Sequence, residues 1–263
     1  MTARLVLITG ASSGIGEAAA RRYGASGAHV LLLARDAGRL DAAVSAIRKD
    51  GGTATALPVD LANARATQEV SERIAREAGT PDVLINNAGA GRWMSLLDTP
   101  AAEALAMIEV PYLAAFNLTR AFLPKMLARR SGAIACITSP ASFVIWPNAV
   151  AYTAARHALA GFTEALRAEV RGSGVSVTLV VLGLVESAYW EHNPGSRAHV
   201  PVINPMIMPT LTSEQAAEAI FAGVEAKRRM VIKPAALRGL FMLNAVAPRL
   251  VANFLRRAVP KQG

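Results

Sequence analysis

The chain holds one cysteine, Cys136, set in the apolar run AIACIT. A single thiol closes no internal disulfide, so a disulfide scaffold and a cysteine-rich metal site are excluded and a reducing compartment is allowed. Histidines number four, and His192 and His199 lack the spaced partners that metal ligation needs, so no metal is expected. Charge is scarce as well: 18% of residues are Asp, Glu, Lys or Arg against 52% hydrophobic, a balance that excludes disorder and fits a packed globular chain. No stretch of about 18 apolar residues runs without a charge, so no transmembrane helix is expected, and MTARLVLITG meets a glycine too soon for a signal peptide. The most local absence is that of acid near the C-terminus. Residues 227–263 contain no Asp or Glu but nine basic residues, Lys227, Arg228, Arg229, Lys233, Arg238, Arg249, Arg256, Arg257 and Lys261. The other 19 basic residues match the 19 acidic ones, so the whole net charge of +9 lies in this tail.

The basic residues of the tail are interleaved with Leu, Phe, Met and Val, a mixture that suits an anionic lipid surface better than nucleic acid, and no nucleic-acid partner is expected. Between Ala235 and Ala258, the apolar Leu237, Leu240, Phe241, Leu243, Val246, Leu250, Val251, Phe254 and Leu255 alternate with them, with a break near Pro248. The pattern predicts a peripheral membrane element; a helix that covers the core or a subunit interface is the alternative.

Ahead of the tail, apolar runs alternate with helical spacing. Strands are expected at 4–9, 29–34, 53–59, 83–85, 132–139, 176–182 and 230–233, with helices from the glycine loop to about Ser26, at 62–78, from Thr99-Pro100 to about Arg130 and at 148–172. Thr212-Ser-Glu-Gln215 is a capping box that opens another helix. Alternating strands and helices without repeat or linker predict one α/β domain, a Rossmann-like doubly wound parallel sheet of about seven strands with helices on both faces. It spans 1–234, includes a lid at about 187–212, and precedes the basic amphipathic tail 235–263.

The first strand ends in Thr9-Gly10-Ala-Ser12-Ser13-Gly14-Ile15-Gly16 and a helix, the arrangement that lets backbone N–H groups receive a phosphate at a helix N-terminus; a plain structural turn is the alternative. Arg35 directly follows the second strand, where an acid would take a ribose 2′-hydroxyl and an arginine suits a 2′-phosphate, so NADP(H) is the expected cofactor. An ordinary solvated arginine is the alternative, and the neighbouring Asp36 pulls against the reading. Tyr152 and Arg156 lie four apart on one helix face and should enter one cleft. A unit charge roughly 4 Å from the phenol is worth about 4 kcal/mol at an effective dielectric of about 20, enough to favour the phenolate and make the tyrosine a proton-exchanging group. The bland alternative is an aromatic core residue beside a solvated arginine. Phe143-Val-Ile-Trp146, Trp93-Met94, Tyr189-Trp190 and the run Pro201–Pro209 supply apolar side chains at the carboxyl ends of strands, which suggests a greasy, partly covered pocket or, failing that, packing against a subunit or over the core.

TGASSGIG at 9–16, NNAG at 86–89, Ser139 thirteen residues before Tyr152, and Gly183-x-Val185 after the sixth strand together resemble the short-chain dehydrogenase/reductase family over about residues 4–234. The resemblance implies an oxidoreductase with a nicotinamide cofactor in which Ser139 and Tyr152 serve a substrate carbonyl and Tyr152 gives or takes the proton, with Arg156 as third member. It implies that Gly10, Ser12, Ser13, Gly14, Ile15, Gly16, Arg35, Asp60, Leu61, Asn87, Ala88, Gly89, Tyr152, Arg156, Gly183 and Val185 serve the cofactor. It also implies a homodimer or homotetramer built through the two long helices. Three positions depart from the family pattern: Arg156 stands where lysine is usual, Pro111 where a helix asparagine is usual, and Leu182 where proline is common. Arginine keeps the charge but hardly ever deprotonates, and proline offers no side-chain amide, so the water-borne proton relay of the family is expected to be lost. The expected activity is NADPH-dependent reduction of a lipophilic ketone or aldehyde, or the reverse oxidation of an alcohol, by a cytoplasmic protein able to touch a membrane through its tail. The alternatives are a cofactor-binding protein with little turnover and non-redox chemistry on the same fold.

Overall fold

The computed structural model describes residues 3–89, 91–201 and 204–258; Val202 and Ile203 of the expected lid and Lys261 of the basic tail lie outside the described residues. In chain order the elements begin with β1 (Leu5–Thr9), α1 (Gly14–Gly24), β2 (His29–Ala34), α2 (Ala37–Lys49), β3 (Thr53–Pro58), α3 (Ala64–Glu77) and β4 (Val83–Asn86). They continue through α4 (Ala101–Ile108), a π turn (Glu109–Leu113), α5 (Ala114–Ala128), β5 (Gly132–Thr138), a 3₁₀ turn (Pro140–Ser142), α6 (Val150–Glu169) and β6 (Val175–Leu182). The remainder is β7 (Val185–Glu186), α7 (Tyr189–His192), a 3₁₀ turn (Ser196–His199), β8 (Leu211–Thr212), α8 (Ser213–Glu225), β9 (Met230–Lys233), α9 (Ala236–Val246) and α10 (Pro248–Ala258). All seven expected strands form, and they make one sheet in the order β3-β2-β1-β4-β5-β6-β9 with every pairing parallel.

Side chains of a strand alternate between faces, and the run LVLIT shows the consequence. Val6 and Ile8 join Val30 and Leu32 against α1, α2 and α8, whereas Leu5 and Leu7 join Leu31 and Leu33 against α3, α5 and α6. A strand buried on both sides reads as an unbroken apolar run, which is why no polar alternation marks these segments. The order reverses between β1 and β4, so the loops after these two strands open a crevice at the carboxyl edge of the sheet. Into that crevice fall the glycine loop and the NNAG segment.

Several local signals act as the sequence suggests. Thr212 and Gln215 form the capping box of α8, with N–H to side-chain oxygen distances of 3.0 and 3.2 Å. The tail breaks at Ala247 into two helices. The long helix expected from Thr99-Pro100 to Arg130 is divided instead. Pro111 has no N–H to give, and the chain widens into the π turn, where Ala114 N–H reaches back five residues to the Glu109 carbonyl. The run 101–128 is also long and apolar enough by length and composition to cross a bilayer, against the expectation of no such segment. Its inner side is core, with Leu118, Phe122 and Met126 packed under the sheet. Helix α2 is not anticipated above, although Asp36 caps it by accepting from Arg39 N–H at 3.0 Å and Leu40, Val44 and Ile47 mark its buried stripe.

Candidate active site

The glycine loop is held open by backbone geometry that side chains resist. Gly10 and Gly14 have φ of +64° and +56°, and a Cβ on Gly16 would lie 2.1 Å from the Gly10 carbonyl oxygen. Gly16 thus lets α1 approach the loop and does not itself line the crevice. Thr9, at the end of β1, fastens the loop to the NNAG segment: its hydroxyl accepts from Asn87 N–H and Ala88 N–H, each at 2.9 Å. Asn87 returns its side-chain amide to the carbonyls of Thr9 and Gly10. The asparagine therefore shapes the loop as well as bordering the crevice.

At the outer end of the crevice stand two arginines. Arg35 is exposed and makes no hydrogen bond or ion pair among the described residues. Asp36, which by sequence opposes a phosphate there, is occupied as the cap of α2 and lies 3.5 Å from Arg39 in an ion pair. The Arg39 guanidinium also donates to Nε2 of His192 at 2.9 Å, joining the lid to α2. Asp60 turns its carboxylate toward Ala62 N–H at 3.1 Å, and Leu61 beside it is buried.

At the inner end, Ser139 follows β5 and caps the 3₁₀ turn, its Oγ accepting from Ala141 N–H at 3.1 Å. Thr138 and Ser142 hydroxyls meet at 2.6 Å, and Ser142 donates onward to the Arg156 carbonyl at 2.9 Å. Since Ser142 spends its proton on Arg156, Thr138 is the donor within the pair, and this chain fixes the end of β5 against α6. Tyr152 and Arg156 share a face of α6, as expected, and both are buried. The arginine is not solvated: its Cζ lies 4.7 Å from the centre of the Tyr152 ring, over its face, a cation–π contact. A Cβ on Gly89 would lie 2.7 Å from the guanidinium, so the glycine of NNAG makes room for this fork. Its Nε is buried with no partner, a donor that calls for an acceptor the protein does not itself provide.

Aromatic rings wall this end. Trp93 lies 5.3 Å from Tyr152 and 6.1 Å from Trp146, centre to centre. Trp93 is held from the lid, whose Ser196 accepts its N–H at 3.0 Å, while Asn193 accepts from Gly91 N–H at 3.2 Å. Tyr189 donates its hydroxyl to the Gly91 carbonyl, and burial, with the neighbouring Tyr152, pushes its phenol well above the usual range. The Arg92 guanidinium, hydrogen-bonded to Glu103, holds that carboxyl below the usual range and ties the same segment to α4. The tail reaches this end too, with Val251 and Leu255 of α10 buried in the cluster that holds Trp93, Trp146 and Tyr152.

One cavity of about 1110 Å³ runs between the two ends. Its walls include Gly10, Ser12, Ser13, Gly14, Ile15, Arg35, Asp60, Leu61, Asn87, Ala88, Gly89, Ser139, Tyr152, Arg156, Gly183 and Val185, every expected site residue except Gly16. Trp93, Trp146, Tyr189, Pro205, Met208 and Pro209 close the apolar end, and Val110 rather than Pro111 comes from the π turn. Arg39, Pro234 and Leu237 also line it and are not anticipated as site residues. Arg39 is recognisable only once α2 is assigned from its Asp36 cap; nothing local marks Pro234 or Leu237.

The model of the family described as short chain dehydrogenase matches residues 4–196. A short chain dehydrogenase of Pseudocercospora fijiensis is 36% identical over 188 residues, which cover 70% of this chain and 60% of that protein's length. A fatty acyl-CoA reductase of Acinetobacter baylyi is 33% identical over 234 residues, 86% of this chain and 75% of that protein. Among solved structures, a short-chain dehydrogenase of Sphingobium yanoikuyae in complex with NADPH superimposes with a TM-score of 0.80 at 25% identity, over 98% of this chain and 99% of the other. A metagenomic short-chain oxidoreductase in complex with NADP gives 0.73 at 30% identity, over 87% and 96%. With its parallel seven-stranded sheet, its glycine loop at the topological switch and a family match over most of its length, the chain belongs to the short-chain dehydrogenases, a family of oxidoreductases.

Proposed function

We propose that the protein is an NADPH-dependent reductase of a lipophilic ketone or aldehyde, able to run as an alcohol oxidation in reverse. The observation that carries this reading is the single cavity that joins the free Arg35 to Ser139, Tyr152 and a wall of tryptophans. The residues suit the cofactor: the glycine loop offers N–H groups to phosphates, Arg35 and Arg39 offer cations to a 2′-phosphate, and the partnerless Nε of Arg156 offers a donor to the ribose. When bound, the nicotinamide supplies or accepts the hydride. Ser139 orients the substrate oxygen and Tyr152 gives it the proton, with the Arg156 charge against the ring face steadying the phenol as that proton leaves. Tyr189 is unsuited to the donor role, because burial holds its proton on the phenol and its hydroxyl already donates to the Gly91 carbonyl. Apolar walls favour a lipophilic substrate, and the likeness to a fatty acyl-CoA reductase supports the same class. Leu113 and Phe116 on α5 and its preceding turn are exposed, with the Phe116 ring tilted against that of Phe162 of α6 at 5.8 Å, which supports a homodimer or homotetramer formed through these helices.

A second reading, a cofactor-binding protein with slow turnover, draws on Pro111: the turn shows Val110 to the cavity, and no side-chain amide stands at that position to hold a relay water. NADPH oxidation with a panel of hydrophobic ketones, run beside a cofactor titration, separates the two. Turnover in the parent with near-complete loss in Tyr152→Phe, at unchanged NADPH affinity, is the expected outcome. Binding without turnover across the panel supports the second reading, and a Tyr152→Phe variant as fast as the parent removes the tyrosine mechanism.

A further inference from the structure

The helices α9 and α10 have two unlike faces. On the inner face Leu237, Val251 and Leu255 are buried, Phe241 lies 4.9 Å from Phe143 ring to ring, and the Asn244 side chain donates to the Phe143 carbonyl at 2.9 Å. This face belongs to the aromatic cluster of the cavity, and Pro234 and Leu237 form part of the cavity wall. The outer face is apolar and open: Val246 is 82% exposed, Met242 72%, Leu250 65% and Phe254 53%. Leu250, Phe254 and Arg257 recur at the spacing of one helix stripe, as do Arg238, Met242 and Val246. Arg238, Arg249, Arg256 and Arg257 make no ion pair among the described residues, and α9 and α10 carry no acid. On the lid, Met206 and Ile207 are likewise exposed, in the segment whose Pro205 and Met208 line the cavity.

We infer that the outer face of α9 and α10 docks on an anionic lipid surface and holds the cavity mouth against the bilayer that supplies its substrate; the supply rests on the lipophilic substrate class proposed above. Apolar side chains flanked by unpaired arginines are what an interfacial helix needs, the chains entering the acyl boundary and the guanidinium groups reaching the phosphates. A second copy is a poor occupant, because a twofold contact would set arginine against arginine with no acid to separate them. Since the inner face is already packed on the site, docking fixes the cavity relative to the membrane and does not unfold the tail.

Flotation of the full chain with vesicles of phosphatidylcholine and roughly one-third phosphatidylserine, against phosphatidylcholine alone, tests the docking. The parent should float with the anionic vesicles in low salt and less in high salt, because the attraction between exposed charges is screened. Leu250→Glu with Phe254→Glu should lower the bound fraction by about tenfold or more while keeping the thermal midpoint and NADPH affinity. Should that variant fail to fold, Arg256→Glu with Arg257→Glu, both exposed, gives the same readout. No flotation, equal flotation with neutral vesicles, or a smaller assembly mass in the first variant overturns the inference, the last because the face is then a subunit contact. Reduction of the hydrophobic ketone panel, measured in parallel without vesicles, separates the two readings: turnover without flotation removes only the docking, and flotation without reduction of any ketone in the panel removes only the proposed function.

Discussion

Arg35 and Arg156 are the residues at which this chain's chemistry is most particular. Arg35 is free because Asp36, its natural antagonist, caps α2 and pairs with Arg39. NADPH should therefore bind more tightly than NADH, and Arg35→Asp should erase or reverse the order, as nicotinamide fluorescence titrations would report; equal affinities in the parent would remove the 2′-phosphate assignment. Arg156 keeps a cation where lysine is usual in the family, but it lies over the ring of Tyr152 and cannot pass a proton. Restoring lysine alone should leave proton supply slow, since the other station is Pro111, buried in the π turn. Arg156→Lys and Pro111→Asn together should raise kcat/KM above the product of the two single effects, the non-additivity expected of groups that act as a unit. Additive effects in that cycle would show that no relay joins these positions.

Among the elements, the junction of β1, the glycine loop and α1 is the least forgiving. Thr9, Asn87 and Gly16 meet there, and the space for a Gly16 side chain is taken by the Gly10 carbonyl. Gly16→Ala should cost roughly 1–3 kcal/mol by overpacking and weaken NADPH binding along with stability, because the loop must move to admit the methyl group. Urea unfolding with and without cofactor measures both; an unchanged midpoint would mean that α1 shifts freely. The lid shows the opposite economy: its short helix and turn are fixed by Tyr189, Asn193 and Ser196 bonding to the backbone of Gly91 and Trp93.

The molecule as a whole carries two phenols whose protons burial retains. Tyr23, buried with no partner for its hydroxyl and near Glu225, and Tyr189 are both pushed upward from the usual value of about 10. The unfolded chain loses these protons from about pH 10, whereas the folded chain still holds them. Above that pH the unfolded state binds fewer protons, so the stability the two phenols contribute, fully present below pH 10, declines as pH rises toward their folded values. The thermal midpoint should therefore fall more steeply above about pH 10 in the parent than in the Tyr23→Phe, Tyr189→Phe variant. Identical slopes would show that neither phenol governs alkaline unfolding.

The sequence alone determined the sheet and most of the cleft. Strands buried on both faces must be unbroken apolar runs, and a helix-opening glycine loop at the first crossover must lie at the edge of a doubly wound sheet, so β1, β2, β5, β6 and the glycine-loop end of the cavity were legible. Tyr152 and Arg156 were legible as a pair because four residues make one turn and a little more. Only the tertiary structure decided that the guanidinium covers the ring, that Gly89 makes room for it, that Asp36 is occupied as a cap and that Gly16 serves packing rather than the cavity wall. It also decided which apolar residues of the tail turn inward to the aromatic cluster and which face outward. Periodicity names a helix face, but what that face meets depends on contacts between residues far apart in the chain, and no local pattern encodes them.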